Sequence, residues 1–475
     1  MATQHLDVPP DRAFDLIVVG AGSAGFSAAI TGAELGARVA LVGHGTIGGT
    51  CVNIGCVPSK ALVRAAGALH EARRAARFAG LEATARVADW RAVVAQKNEL
   101  VERLRRTKYA DLLPAWPQIV YVEGPARLAP GGVQVGDTLL RGERIVIATG
   151  ARPAVPRLEG LDRVPFLTST TALDLDTLPR SLVVIGGGFI GVELAQVFAR
   201  FGARVTIACR RRLLPDLDAE VGETLARHFE AEGLAVTCGV AYRAVARTAS
   251  GVAVRLAVGG EERVLEAEHL LVAAGRTPNT ERLGLREHGV ATGPLGEIVV
   301  DDHLQTSRPG IYAAGDVTGR DQFVYMAAYG ARLAATNALL GNRMRYDRRA
   351  MPKVVFTDPQ VGSVGLTEEE ARASGRDPQV AILPLDQVPR ALVARDTRGL
   401  VKLVADRGTR RLLGAQIVAP EGGDSIQTAA LAIRHGMTVE ALAETIMPYL
   451  TTVESLRLAA QSFHRDVSRL SCCAG

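Results

Sequence analysis

No apolar run in this chain approaches the length needed to span a bilayer. The opening MATQHLDVPPDRAFD also lacks the basic start and apolar core of a signal peptide. These absences exclude membrane-spanning and secreted classes and point to a soluble, reducing, cytoplasmic setting. Dense basic blocks are missing as well. Lys and Arg number 55 against 50 Asp and Glu, and the resulting formal charge of +5 is spread along helices, the pattern of solvated faces and not of a nucleic-acid surface. Cysteine is scarce, with only six in 475 residues. Four of the six nevertheless fall into two close pairs: Cys51 and Cys56 in GGTCVNIGCVPSK, and the adjacent Cys472 and Cys473 in LSCCAG. The other two, Cys209 and Cys238, are scattered. In a reducing compartment a CxxxxC pair is more readily catalytic than a permanent staple. A pair at each end of the chain can pass a soft, thiophilic cargo inward, and Hg(II) fits such thiolates.

A chain of this length exceeds a single core, so roughly two to four domains are expected. DLIVVG at residues 15–20 leads into GAGSAG and the small-residue stretch FSAAITGAELG, the order of strand, tight turn and helix. A second copy starts at SLVVIGGGFIG and runs into VELAQVFARFG. The two are related by an offset of 166 residues: Gly20, Gly22 and Gly25 match Gly186, Gly188 and Gly191, while GARVALV at 36–42 matches GARVTIA at 202–208. This is an internal repeat of a nucleotide-binding unit. In each copy the first glycine permits the turn, the second lets the backbone approach a pyrophosphate, and the third lets helix pack on strand. The diphosphate then rests on a helix N-terminus. One such fingerprint is compatible with a mere tight turn. Two in register predict two dinucleotide sites.

Helices are expected over 60–79 and 90–113, with proline-rich loops at LPAWP and ARPAVP. RIVIATG, LLVAAGRTPN at 270–279 and IYAAGD at 311–316 read as buried strands running into turns. From Met351 the texture changes to alternating strands (KVVFTDPQVGSVG, GLVKLVA, RLLGAQIVA) followed by two helices, which predicts a separate domain of antiparallel sheet and helix.

The fingerprint also calls for a carboxylate at the end of the second strand, to hold a ribose hydroxyl, and both copies lack it. The first has Gly43 followed by His44, and its substitute is not evident from the sequence. The second has Cys209 followed by Arg210, Arg211 and Arg212. Loss of the acid together with new guanidinium groups is the pattern for a 2'-phosphate, so NADPH is favoured over NADH. A surface arginine run capping a strand is the plainer alternative. Cys51 and Cys56 open a helical stretch after a glycine pair, with Lys60 four residues beyond Cys56. A helix N-terminus makes thiolate available near neutrality. Half of a zinc site is the competing reading, and no second half with ligand spacing lies nearby.

GGTCVNIGCVPSK, the two GxGxxG units, the ATG at 148–150, AAGRTPN at 273–279 and AAGD at 313–316 resemble the flavoprotein disulfide reductases over nearly the whole chain. The resemblance implies an α/β fold: two Rossmann-like units, the first for FAD and the second for NAD(P), and a C-terminal α+β dimerisation domain. The corresponding boundaries are 1–172 for the first part of the FAD domain and 173–295 for the NADPH domain. A return to the FAD domain over 296–350 and an interface domain over 351–475 complete them. It also implies that Asp316 holds the FAD ribityl chain, and that Lys60 and Glu193 lie near the flavin N5. Cys56 would face the flavin, and Cys51 would exchange with substrate. Gly49, Thr50, Thr149, Gly150 and Gly275 are expected to join the repeat glycines at the cofactors.

The tail separates branches of that family. Glutathione and dihydrolipoyl reductases carry His-Pro and a later Glu, because a base must handle protons in dithiol exchange. Here PYLTTVES puts Tyr449 at the histidine position and Leu450 at the proline, and retains Glu454. His464 lies too far along to substitute and is expected on a solvated helix. Tyr449 together with LSCCAG resembles the mercuric reductase branch, as do FTDPQV, VPRAL and QFVY. On that resemblance the expected reaction is reduction of Hg(II) to Hg(0) by NADPH through FAD and the Cys51–Cys56 disulfide. Cys472 and Cys473 of the partner subunit would then hand thiol-bound Hg(II) to the inner pair of a homodimer, with Tyr449 aiding exchange. All four cysteines are candidate Hg(II) ligands. A flexible tail with incidental thiols, a small-disulfide reductase and a mercury-sequestering protein are the alternatives. Two departures are visible: the FAD fold begins within about twenty residues of the first, without the leading CxxC domain of many of these enzymes, and Phe166 stands where several relatives have tyrosine.

Overall fold

The computed structural model describes residues 13–466. The described residues divide into two compact units: 13–59, 94–154 and 275–346 form the first, and 60–93, 155–274 and 347–466 the second.

The first unit is built on a parallel sheet in the order Ile311–Ala313, Ile145–Ile147, Leu16–Val19, Val39–Gly43, Ile119–Glu123. All but the edge strand Ile119–Glu123 are short, apolar and buried on both faces, as crossover helices demand of a parallel sheet. Helix Ser23–Glu34 crosses the sheet beside helix Val324–Leu340, and the Ser27 hydroxyl donates to the Ala328 carbonyl at 2.8 Å. A small antiparallel sheet, Ala126–Ala129, Gly132–Val135 and Thr138–Arg141, joins the same apolar core.

The second unit repeats the pattern. Its parallel sheet runs Ala235–Cys238, Arg204–Cys209, Ser181–Ile185, His269–Val272, and the register Arg204↔Ser181 parallels Val39↔Leu16 in the first copy. A three-stranded antiparallel sheet spans Val240–Thr248, Gly251–Val258 and Glu261–Ala267. A five-stranded antiparallel sheet follows in the order Lys353–Val355, Gln360–Gly365, Leu412–Ala419, Leu400–Asp406, Pro378–Pro384. Alternation in its strands does not produce one wet face, because Leu412–Ala419 is buried at every position. Lys402 and Gln416, which alternation would leave in water, are 1% and 2% exposed. Carboxylates cover them: Lys402 Nζ lies 3.4 Å from Asp218, 3.1 Å from Glu220 and 3.0 Å from Glu368, and Gln416 donates to Asp218.

Helix ends differ from the sequence expectation. The first helix is Cys56–Arg73, starting earlier than residue 60 and stopping well before 79. The second, Trp90–Lys108, gives way to a 3-10 turn, Ala110–Ala115, where Pro114 cannot donate to an α-helical ladder. His464 is exposed, as expected, but lies just beyond helix Glu454–Gln461 and not within it, with Nε2 2.8 Å from Glu440 and 2.6 Å from Arg410.

Candidate functional site

The two glycine loops are near copies in three dimensions. Gly20 and Gly186 hold φ of 119° and 118°, a region that favours glycine, and a Cβ there would come within 2.3 Å of the Ala148 and Ala273 carbonyl oxygens respectively. A Cβ on Gly25 would meet the Gly20 oxygen at 1.6 Å, and one on Gly191 the Gly186 oxygen at 2.2 Å. Gly22 and Gly188 are the extended N-caps of helices Ser23–Glu34 and Phe189–Phe201, and neither carries a capping side chain. Both helix starts therefore present their N–H groups to an anion, which is the donor set a dinucleotide diphosphate requires. In the first loop Gly22 bridges to Gly48, and a Cβ on Gly49 would lie 2.6 Å from the Gly22 Cα, so nothing larger than glycine fits that cradle. Asn53 fixes the cradle by donating to the Ile47 and Gly49 carbonyls, each at 2.9 Å.

The space that a side chain at Gly43 would take is already filled. A Cβ at Gly43 would lie 2.3 Å from the hydroxyl of Tyr121, on the neighbouring strand Ile119–Glu123. Tyr121 occupies the place of the absent side chain, and the register sets Glu123 opposite Gly43. Sequence reading missed Tyr121, since only the strand pairing brings it to Gly43.

The cysteines lie on two helices. Cys51 is on the short helix Gly49–Ile54, alongside Thr50, and Cys56 opens Cys56–Arg73 beyond Gly55. Both are half-buried. Burial raises the Tyr109 pKa, the hydrogen bond with Ser23 at 3.1 Å opposes this, and charge on Cys51 and Cys56 adds to it. Tyr325 is raised by desolvation first, then by Asp321, then by Cys56. Tyr109, in T-shaped contact with Phe26 at 5.0 Å, and Tyr325 are the aromatic neighbours of this pair that the sequence alone did not single out. Cys472 and Cys473 lie outside the described residues.

ATG and AAGRTPN are joined in the first unit. Thr149 donates to the Asn279 carbonyl at 2.8 Å, Asn279 returns a bond to the Thr149 carbonyl at 3.0 Å, and the Asn279 N–H reaches the Gly150 carbonyl at 2.9 Å. Ala151–Pro153 pairs with Arg276–Pro278 next to Gly275, whose φ of 112° makes the turn. Arg276 Nε lies 3.3 Å from Asp316. Burial raises the Asp316 pKa against the pull of Arg276, so a mostly buried acid stands at the end of Ile311–Ala313.

In the second unit Lys60 Nζ donates to Glu193 Oε2 at 2.6 Å, and the other Glu193 oxygen accepts from the Phe356 N–H at 2.8 Å. Glu193 is 5% exposed, and Lys60 also lies 4.9 Å from the Phe356 ring centroid. Arg210 and Arg211 are exposed, with Arg211 3.9 Å from Asp216. Arg212 instead turns back to donate to the Leu217 carbonyl at 2.6 Å. Phe166 packs on the apolar core beside the antiparallel sheet. Tyr449 is 47% exposed and precedes Leu450, whose φ of 61° is unusual for leucine. The turn is held by Glu454, 3% exposed, which accepts from the Leu450 N–H at 3.1 Å.

Comparisons with known proteins agree on the family. The family model described as pyridine nucleotide-disulphide oxidoreductase matches residues 14–335, and that of its dimerisation domain matches 351–460. Mercuric reductase of Streptomyces lividans is 47% identical over 469 residues, 97% of this chain and 98% of the relative. Mercuric reductase of Staphylococcus aureus is 44% identical over 471 residues, 99% of this chain and 86% of the relative. Among solved structures, the Cu(II) complex of the HOCl-induced flavoprotein disulfide reductase RclA from Escherichia coli aligns with a TM-score of 0.83 at 33% identity, covering 95% of this chain and 99% of that one. Among the described residues no helix is long and apolar enough to cross a membrane. With both glycine cradles, the CxxxxC helices and the dimerisation segment in place, the chain belongs to the pyridine nucleotide-disulphide oxidoreductases, flavoproteins that use FAD and a pyridine nucleotide.

Proposed function

We propose that the chain is a homodimeric, NADPH-dependent mercury(II) reductase that converts Hg(II) to volatile Hg(0). The observation that carries the reading is the full-length similarity to mercuric reductases, joined to a CxxxxC pair whose second cysteine opens a long helix. The replacement of the C-terminal base by Tyr449 supports it. The overall balance is NADPH plus Hg(II) giving NADP+, a proton and Hg(0).

The first glycine loop, Gly20 to Gly25 with Gly49 and Thr50, holds the FAD diphosphate, with Thr149, Gly150 and Asp316 completing that site. FAD, when bound there, would supply two-electron carrier chemistry between a nicotinamide and a dithiol. Gly186, Gly188 and Gly191 would receive the NADPH diphosphate, and exposed Arg210 and Arg211 would supply cations for its 2'-phosphate. Glu193 keeps Lys60 in place through their ion pair, and Lys60 would present its ammonium group to the flavin N5. Cys56, at a helix N-terminus where negative charge is favoured, would face the flavin, and Cys51 would take up Hg(II). Soft thiolates select Hg(II) over harder cations. Cys472 and Cys473 of the partner subunit strip the ion from small thiols and pass it to Cys51 and Cys56, with Tyr449 assisting exchange.

The exposed apolar side chains of the dimerisation segment, among them Ile446 at 97% and Leu431 at 51%, support association of two copies. The boundaries 1–172, 173–295, 296–350 and 351–475 and a cytoplasmic location are part of this reading. Its test is NADPH oxidation on addition of Hg(II) in excess thiol, run beside oxidised glutathione. A mercury(II) reductase responds to the metal, a disulfide reductase to the disulfide, and a sequestering protein to neither.

A further inference from the structure

Cys209 and Cys238, scattered in sequence, are neighbours in the fold. Each ends its strand, Arg204–Cys209 and Ala235–Cys238, and the two are register partners in the parallel sheet. Register partners on adjacent strands lie about 4.8 Å apart, inside the roughly 4.4–6.8 Å Cα window of a disulfide. Their Sγ atoms are 3.1 Å apart. An approach of about 1 Å brings them to bonding distance. A metal ion bridging two thiolates at about 2.3 Å each needs the sulfurs well beyond that separation, so the geometry favours a sulfur–sulfur bond over a metal clip.

The pair also sits under the second glycine loop. A Cβ on Gly187 would lie 3.2 Å from the Cys209 Sγ, and the Gly187 carbonyl accepts from the Leu214 N–H at 2.7 Å. The Arg211 carbonyl accepts from the Gly239 N–H at 3.0 Å, tying the arginine turn to the residue after Cys238. We propose that Cys209 and Cys238 form a second dithiol, closed by peroxide to an intrachain disulfide that weakens binding of the nicotinamide cofactor. The weakening rests on the cofactor reading above, in which Arg210 and Arg211 meet the 2'-phosphate.

Cys238 is half-buried and reachable, whereas Cys209 is 3% exposed. The hydrogen bond donated by Cys209 lowers the Cys238 pKa to about 7, while that bond and burial push Cys209 up. Cys238 is therefore the attacking thiolate. It attacks one peroxide oxygen and breaks the O–O bond, leaving a sulfenic acid and one water. The Cys209 thiol then displaces a second water from that sulfur and forms the S–S bond. In sum, two thiols and one hydrogen peroxide give a disulfide and two waters. Drawing Cys209 toward Cys238 moves it off Gly187 and shifts the turn that carries Arg210 and Arg211.

The test uses the flavin-loaded enzyme treated with stoichiometric hydrogen peroxide, then alkylated under denaturing conditions for peptide mapping, with NADP+ affinity measured by calorimetry. We expect a Cys209–Cys238 linked peptide and a several-fold rise in the NADP+ Kd, reversed by dithiothreitol. Cys238→Ser and Cys238→Ala should show neither change and bind NADP+ like the reduced parent. Thiols that both remain open to alkylation, or a linked peptide with an unchanged Kd, would overturn the proposal. If the reduced enzyme binds NAD+ as tightly as NADP+, the 2'-phosphate reading falls, and the disulfide proposal is then decided by the NAD+ Kd.

Discussion

At Gly43 and Cys209 the same position in two copies of one motif reaches two different solutions. The sequence shows the lost carboxylate in each, but not that the Tyr121 hydroxyl fills the first place and a second thiol approaches the other at 3.1 Å. Both depend on strand register, which no single segment carries. Arg210 and Arg211 are exposed, which suits both the phosphate reading and the plain surface run, and Arg212 departs from both, since its guanidinium caps a local carbonyl. Replacing Arg210 and Arg211 together by alanine should raise the KM for NADPH by about 10-fold or more, the worth of one or two charge-assisted bonds. The KM for NADH should scarcely move. Equal effects on the two cofactors, in steady-state assays, would remove the arginines from the cofactor site.

Strands and helices of the repeat were readable from short apolar runs and glycine spacing, because both copies bury their strands on two faces. The C-terminal strands were readable as strands but not by face. Lys402 and Gln416 are taken out of water by Asp218, Glu220 and Glu368, residues remote in sequence. The glycine loops allow the two halves to be separated experimentally. Gly25→Ala places a Cβ 1.6 Å from the Gly20 oxygen and should yield protein without FAD, read as the loss of flavin absorbance. Gly191→Ala meets the Gly186 oxygen at 2.2 Å and should retain FAD while reduction by NADPH slows by about 100-fold or more. The reverse assignment, with flavin lost from Gly191→Ala and kept in Gly25→Ala, would exchange the roles of the two loops.

Across the second unit, a buried ionic cluster joins helix Phe189–Phe201 to the C-terminal sheet. Arg200 donates to Glu232 at 2.9 and 2.8 Å and to Asp358 at 2.9 Å, and Arg398 reaches Asp358 and Asp396 at 2.9 and 2.7 Å. None of this was legible in the sequence, where these charges read as solvated surface. Burial and then Arg200 lower the pKa of His70, and burial and then Arg398 lower that of His228, both from 6.5. As pH falls through about 6.5, the unfolded chain takes up protons that the folded chain refuses. Stability should therefore be fully present above that range and fall on acidification toward about pH 5, seen as a lower Tm. His70→Asn should flatten the decline, and a Tm independent of pH across this window would contradict it. Although burial opposes it, Arg398 and Arg200 hold Asp358 below the usual carboxylate range, so its contribution persists to lower pH.

The proposed sharing of thiols between subunits predicts complementation. A Cys472→Ala/Cys473→Ala chain mixed with a Cys51→Ala chain should regain turnover of thiol-bound Hg(II) in verified heterodimers, because one composite site recovers all four thiols. No recovery would confine each site to one subunit. The central claim, that electrons from NADPH end on mercury, is tested most directly by trapping elemental mercury from the gas phase while NADPH oxidation is followed with Hg(II) in excess thiol. One Hg(0) recovered per NADPH consumed, abolished in Cys56→Ala, is the predicted result. NADPH oxidation without mercury vapour, or vapour production undiminished in Cys56→Ala, would contradict it.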